Sequence, residues 1–141
     1  MSDASPDPEP TGLPQDLLAL LRRPSPCFVS TLAEDGTPHA ASVWVDTDGR
    51  HILVATRQGE QEARNAARDA RIAVAVGDPD DPAHVYRVRG RVRDITTAGA
   101  VERRRTLARR YLGPSPEADR ADGRADDLVL VIVPHRIALA A

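Results

Sequence analysis

Gly59 stands where a run of β-forming residues, HILVAT, gives way to a segment whose Glu, Gln, Ala and Arg content is that of a helix. A helix start of this kind presents free N–H groups and a partial positive charge, which suits an anion such as a phosphate. With no side chain, Gly59 would let that anion approach the backbone closely. Glu60 and Glu62 stand in the same first turn, where carboxylates complement the helix dipole. Glu60 also precedes Arg64 by four residues, the favourable orientation for an ion pair. Trp44 is the single tryptophan of a chain with two Tyr and one Phe, and reads either as core or as an aromatic platform for a ligand. Arg87, Arg89, Arg91 and Arg93 share one parity of an alternating stretch and must meet solvent, an anion or a dimer partner. No aromatic residue beyond Tyr86 is interleaved with them, so they do not read as a nucleic-acid surface. His39 beside a turn reads as an exposed loop histidine, and Ser42 within a strand can satisfy a local hydrogen bond. Cys27, followed by Phe28 and Val29, reads as a buried small residue and not as a nucleophile.

The elements that must position these residues follow from turn and strand signals. Residues 1–12 hold three prolines, acids and small residues with little to bury, and are expected to be a disordered tail. Leucines at 17, 18, 20 and 21 recur at helical spacing, with Pro14 suited to a first turn and Pro24 and Pro26 stopping the run near Arg23. CFVSTLA, the turn Glu34–Thr37 and PHAASVWVD read as a hairpin, and Asp48-Gly49 turns the chain into a third strand, HILVAT. After the helix that Asp69 closes, IAVAV reads as a buried strand. The cluster Asp78 to Pro82 reads as a loop because its two prolines resist pairing. VYRVRGRVRDI then forms a strand. Thr96 and Thr97 are candidate N-caps for a helix that ends at Gly113-Pro114. Residues 117–127 read as a loop, and LVLVIV and IALA as two closing strands separated by Pro134-His135-Arg136. Six or seven strands linked mostly by hairpins predict a mainly β (α+β) fold, an antiparallel split β-barrel with short peripheral helices. Closure would leave few open edges.

Composition narrows the function classes. A chain of 141 residues and 15.2 kDa fits one domain, here residues 13–141. A net charge of −2 gives no general affinity for nucleic acid or anionic membrane. All basic residues are Arg, a pattern typical of GC-rich coding sequence. The lone cysteine allows neither an intrachain disulfide nor a thiolate metal cluster, so no metal site is expected and a reducing, cytoplasmic setting fits. The aliphatic run Leu128–Val133 is far shorter than a membrane span needs, and the acidic N-terminus does not resemble an export signal.

Several spaced segments carry more specific text: Thr31-Leu32-Ala33-Glu34-Asp35-Gly36-Thr37-Pro38-His39, then Ala41-Ser42-Val43-Trp44-Val45, then Thr56, Gly59, Arg64-Asn65 and Arg68 to Ile72. Together they resemble the pyridoxamine 5'-phosphate oxidase-like, FMN-binding split-barrel superfamily, and within it the branch whose actinobacterial members use the deazaflavin coenzyme F420. The resemblance runs from Leu13 to the C-terminus. It implies a homodimer with two interface sites, the tricyclic ring against strand backbone and the phosphate near the helix that follows the third strand. Carried over by motif position, the ring-side contacts would be Ser42, Val43, Trp44 and Val45. The phosphate-side contacts would be Thr56, Gly59, Arg64 and Asn65, with Arg57 as a further cation.

One departure bears on that assignment. Relatives in the deazaflavin branch begin this helix Gly-Arg-x-Lys-x-Arg-Asn, whereas here it reads Gly59-Glu60-Gln61-Glu62-Ala63-Arg64-Asn65. Both expected cations are carboxylates, so Arg57, Arg64 or an arginine of a second chain would have to replace them. The leading expectation is an oxidoreductase that transfers hydride between coenzyme F420 and a small organic substrate, with no catalytic acid or base assignable. The alternatives are an FMN-binding protein of the same barrel, or a non-catalytic ligand-binding protein that has lost the usual phosphate contacts.

Overall fold

A computed structural model describes residues 8–120 and 123–140. Residues 1–7 of the expected tail lie outside them. The following residues run along the barrel's last strand: the Thr11 N–H donates to the Pro134 carbonyl at 2.9 Å and His135 Nδ1 to the Glu9 carbonyl at 3.3 Å.

The chain runs α1 (Gln15–Leu21), β1 (Cys27–Leu32), β2 (Pro38–Ser42), β3 (Trp44–Thr47), β4 (Ile52–Arg57), α2 (Gln61–Arg68), β5 (Arg71–Asp78), β6 (Asp81–Thr96), α3 (Ala100–Leu112), α4 (Pro116–Arg120) and β7 (Asp127–Ala140). The seven strands form one antiparallel sheet in the order β2-β1-β5-β6-β7-β4-β3. Its two edge strands, β2 and β3, are separated in sequence only by Val43, so the sheet curls back on itself as a split barrel. The expected single strand PHAASVWVD is thus broken at Val43, whose N–H donates across to the Cys27 carbonyl at 3.0 Å.

The barrel interior is aliphatic, as a chain poor in aromatics requires. Val29, Val74 and Val88 stand opposite one another on β1, β5 and β6, and Val45, Val54 and Leu130 do so on β3, β4 and β7; all six are buried. Each such side chain contributes about 1.5–3 kcal/mol on leaving water. Leu17 and Leu21 of α1 join the same cluster. β4 does not alternate: its residues Ile52 to Thr56 are all buried, because Leu53 lies under Ala100 of α3 while Ile52 and Val54 face the interior.

Four more expectations are corrected. The Asp78–Pro82 segment is not an open loop: β5 and β6 are joined by Pro79-Asp80 alone, and Pro82 lies at the exposed start of β6, where its missing N–H is tolerated. Neither Thr96 nor Thr97 caps α3; Gly99, in a left-handed conformation with φ 68°, precedes it. The expected loop 117–127 begins inside the short helix α4, which spans Pro116–Arg120. The closing segment is one 14-residue strand, with a register shift that skips His135 and accommodates Pro134.

Candidate functional site

The break between β2 and β3 opens a small pocket of about 180 Å³. Ser42, Val43 and Trp44 form one wall. Ala55, the cross-strand partner of Trp44, forms the next with Thr56 and Arg57. Glu60 and Glu62 enter from the head of α2, and Arg104 reaches in from α3. A turn sealed by the Glu60 N–H donating to the Arg57 carbonyl at 3.1 Å leads from β4 into α2. Gly59 sits in it at φ 94°, a conformation that suits glycine.

Charges in this pocket are sorted by side. On the helix side, Glu62 is buried and its Oε2 accepts the Thr56 hydroxyl at 2.8 Å; its Oε1 lies 3.9 Å from His39 Nε2. Glu60 is exposed, so water and salt screen its charge. On the strand side stand two guanidiniums. Arg57 Nε donates to Asp127 Oδ1 at 2.8 Å, and Arg104 Nε lies 3.5 Å from the same oxygen. Arg104 Nη2 donates to the Thr56 carbonyl at 3.2 Å. Both guanidiniums thus converge on one oxygen of the buried Asp127 carboxylate. Burial, together with the neighbouring Arg57 guanidinium, pulls the Arg104 pKa below its ordinary value. Arginine remains charged regardless. Its buried Nε makes no hydrogen bond among the described residues and stands 3.5 Å from the Asp127 carboxylate as an ion pair.

Trp44 joins the barrel to α3. Tyr111 stacks on its ring with centroids 5.6 Å apart and planes 15° from parallel, and the Arg104 guanidinium carbon lies 5.5 Å from its centroid. The Tyr111 hydroxyl donates to the Ser25 carbonyl at 2.8 Å and accepts the Val45 N–H at 3.2 Å; burial pushes its pKa up to about 12. Below it, Asp46 accepts Arg103 Nη1 at 2.6 Å and Arg110 Nη1 at 3.0 Å. These contacts fix the register of α3 on the sheet and so place Arg104 over the pocket.

Of the residues singled out in the sequence, Ser42, Val43, Trp44, Thr56 and Arg57 come together here. Val45 is fully buried in the barrel. Gly59 lies in the adjoining turn but not in the wall. Arg64 is exposed and turns back, donating to the Gly59 carbonyl at 2.7 Å and to Gln61 Oε1 at 2.5 Å instead of pairing with Glu60. Asn65 is fully buried, where its Nδ2 donates to Thr31 Oγ1 at 3.1 Å and ties α2 to β1. Cys27 is buried, and burial pushes its thiol up to about 12. Arg104, Tyr111 and Asp127 were not singled out as site residues. For Arg104 the sequence signal was the Arg103-Arg104-Arg105 run on a helix that must lay one face on the barrel, whereas Asp127 stands at the start of β7 with no such signal.

The family model described as pyridoxamine 5'-phosphate oxidase matches residues 13–140. Among solved structures, one titled F420 reductase is similar at 30% identity, covering 89% of this chain and 98% of the other with a TM-score of 0.76. A conserved hypothetical protein from Mycobacterium tuberculosis shares 21% identity over 93% of this chain and 86% of its own, with a TM-score of 0.67. General Stress Protein 26 from Bacillus anthracis shares 18% identity over 86% and 88% with a TM-score of 0.62. The last two show the fold alone. No match was found among curated proteins. No helix among the described residues is long and apolar enough to cross a membrane. With nearly its whole length matched by the family model and its sheet order that of a split barrel, the chain belongs to the pyridoxamine 5'-phosphate oxidase family.

Proposed function

We propose that this protein is an oxidoreductase that binds coenzyme F420 in the Trp44 pocket and passes hydride between it and a small organic substrate. The observation that carries the reading is the convergence of Ser42, Val43, Trp44, Thr56 and Arg57 on one pocket, with Arg104 supplying a cation that α2 lacks. The 30% identity to a structure titled F420 reductase favours the deazaflavin over FMN. When bound, the deazaflavin supplies the hydride chemistry, and the protein contributes orientation and electrostatics.

Each residue's part follows from its position. Arg57 and Arg104, sharing Asp127, hold the phosphate from the strand side through their guanidinium charge. The backbone at Ser42–Trp44, where the sheet splits, offers polar groups to a flat heterocycle. Glu62 keeps its charge turned toward Thr56 and His39, which limits its repulsion of a phosphate. Ligand pockets usually span ~300–1,000 Å³, so about 180 Å³ is too small for a tricyclic cofactor. A second copy of the chain completes the site, in a homodimer that works in the cytoplasm.

Titration of the purified full-length chain with coenzyme F420, followed by cofactor fluorescence, tests the reading. A saturable change at micromolar cofactor is expected. No saturable change at high micromolar concentration overturns it, and saturable binding of FMN alone moves the assignment to the flavin.

A further inference from the structure

Glu62 lines the Trp44 pocket with only 9% of its side chain exposed, so water does little to screen its charge. Its two oxygens face different neighbours. Oε2 accepts the Thr56 hydroxyl at 2.8 Å, a bond from a neutral donor that leaves the charge in place. Oε1 lies 3.9 Å from Nε2 of His39, which stands in β2 opposite Thr31 and not in a loop. The His39 side chain is 36% exposed, so its ring can exchange a proton with solvent while it faces a buried carboxylate. Other charged groups surround Glu62 from each neighbouring element. Glu60 adds a second carboxylate at the head of α2, and Arg57 of β4 and Arg104 of α3 stand on the strand side and share Asp127 of β7. Glu34 and Asp35, in the turn before β2, line a separate cleft with Gln61, and Arg64 turns back to the Gly59 carbonyl. On its β1 side α2 meets the uncharged Thr31 through Asn65. β6 is tied to the chain just past the far end of the helix, where the Val92 N–H donates to the Ala70 carbonyl. Histidine is the side chain that gains and loses charge near neutral pH, and it is His39 that meets Glu62.

We propose that Glu62 and His39 form a proton site coupled to the Trp44 pocket, so that an anionic ligand and a proton are taken up together. As a unit the pair carries a charge of −1 when the imidazole is neutral and none when it is protonated. An anion held by Arg57 and Arg104 shares the pocket with this pair and favours its neutral form. Ligand and proton therefore strengthen each other's binding by the same factor. The sign is fixed by the charges: affinity for the anion rises as pH falls, until the pair is already neutral in the free protein. Coupling between two sites is typically ~5–150-fold, and the exposure of His39 places this one near the low end, at about fivefold to tenfold. The inference rests on the reading that a phosphate-bearing cofactor enters this pocket. It adds a role for the carboxylate that α2 carries there: Glu62 makes the hold on the anion depend on pH.

Isothermal titration of the purified protein with coenzyme F420 at about pH 7, in two buffers of different ionisation enthalpy, counts the protons taken up on binding. The cofactor's own titration is common to every variant and cancels between them. The unsubstituted protein should take up roughly half a proton more than H39N, which is what a linkage of about tenfold gives at its midpoint. Its affinity relative to H39N should fall about fivefold between pH 6 and pH 8. E62Q keeps an acceptor for the Thr56 hydroxyl but loses the charge, so at pH 8 it should bind F420 about fivefold more tightly than the unsubstituted protein does. A role confined to anchoring Thr56 would instead lower the melting temperature of E62Q and leave its affinity unchanged. Equal proton counts for the unsubstituted protein and H39N, or an E62Q affinity at pH 8 no greater than that of the unsubstituted protein, overturn the inference and leave the cofactor reading standing. Absence of any F420 binding overturns both.

Discussion

Replacing Arg104 separates the two contributions that its position implies. The side chain lies over Trp44, donates to the Thr56 carbonyl and shares Asp127 with Arg57. A unit cation ~5 Å from a phosphate charge contributes roughly 3 kcal/mol at an effective dielectric of ~20. Residual exposure of 16% and the counter-charge of Asp127 reduce this to about half. R104Q should thus weaken F420 binding by roughly tenfold or somewhat more, since ~1.4 kcal/mol is tenfold. Its effect on folding is of similar size, because one cation–π contact and one hydrogen bond amount to about 1–2 kcal/mol, which leaves most of the protein folded for the titration. R104K, which keeps the charge without the guanidinium fork, should recover part of the affinity, and rising salt should narrow the gap between the three proteins. The assay is fluorescence titration beside thermal melts of each variant. Affinity of a folded R104Q within twofold of the unsubstituted protein would refute the phosphate-side role of Arg104.

Four further outcomes follow from the structure. D46N leaves Arg103 and Arg110 facing a neutral amide; because both keep some exposure, it should cost about 2–3 kcal/mol, less than a fully buried pair, and lower the melting temperature by roughly 10 °C. G90A places a Cβ 2.5 Å from the Val133 carbonyl oxygen and 3.0 Å from Ile132 Cγ2, so denaturant melts should show a loss of about 1–3 kcal/mol. E60R, at an exposed position beside the pocket, should raise F420 affinity severalfold in titration, whereas E62K removes the buried acceptor of Thr56 and should show itself first as a lower melting temperature. Asp69, held by the Arg71 side chain and N–H, has a pKa of about 2 against the usual 3.8. A depressed carboxyl contributes stability that is complete above its unfolded value and lost as pH falls through the folded one. Melts between about pH 4 and pH 2 should accordingly show a steeper loss for the unsubstituted protein than for D69N.

The parts of the fold that were legible in the sequence are those set by neighbours along the chain. Asp48-Gly49 and Glu34–Thr37 announced their turns, and the alternation from Val85 to Arg93 announced both the strand and its arginine face, because turn chemistry and strand period are local. What was not legible depends on tertiary context. Pro134 looked like a strand terminator, yet a bulge beside it lets β7 continue and Thr11 takes its carbonyl. Thr96 and Thr97 have good capping chemistry, but α3 begins after Gly99 because packing of Ala100 on Leu53 decides where it docks. The same division holds in the candidate site. Ser42 to Trp44 and Thr56-Arg57 could be read from spaced motifs, whereas Arg104, Tyr111 and Asp127 lie far from them in sequence and meet them only because α3 packs over the sheet and β7 pairs with β4. Asn65 was read as a ligand contact because Arg64-Asn65 follows the motif, but its side chain faces β1, and helix phase alone could not show that.

Native mass spectrometry of the full-length protein mixed with coenzyme F420 tests the central claim most directly, since it reports subunit number and bound cofactor together. The expected species has twice the 15.2 kDa chain mass and carries two cofactor molecules. A monomer, or a dimer that retains no cofactor at about tenfold molar excess, would contradict a deazaflavin site completed by a second chain.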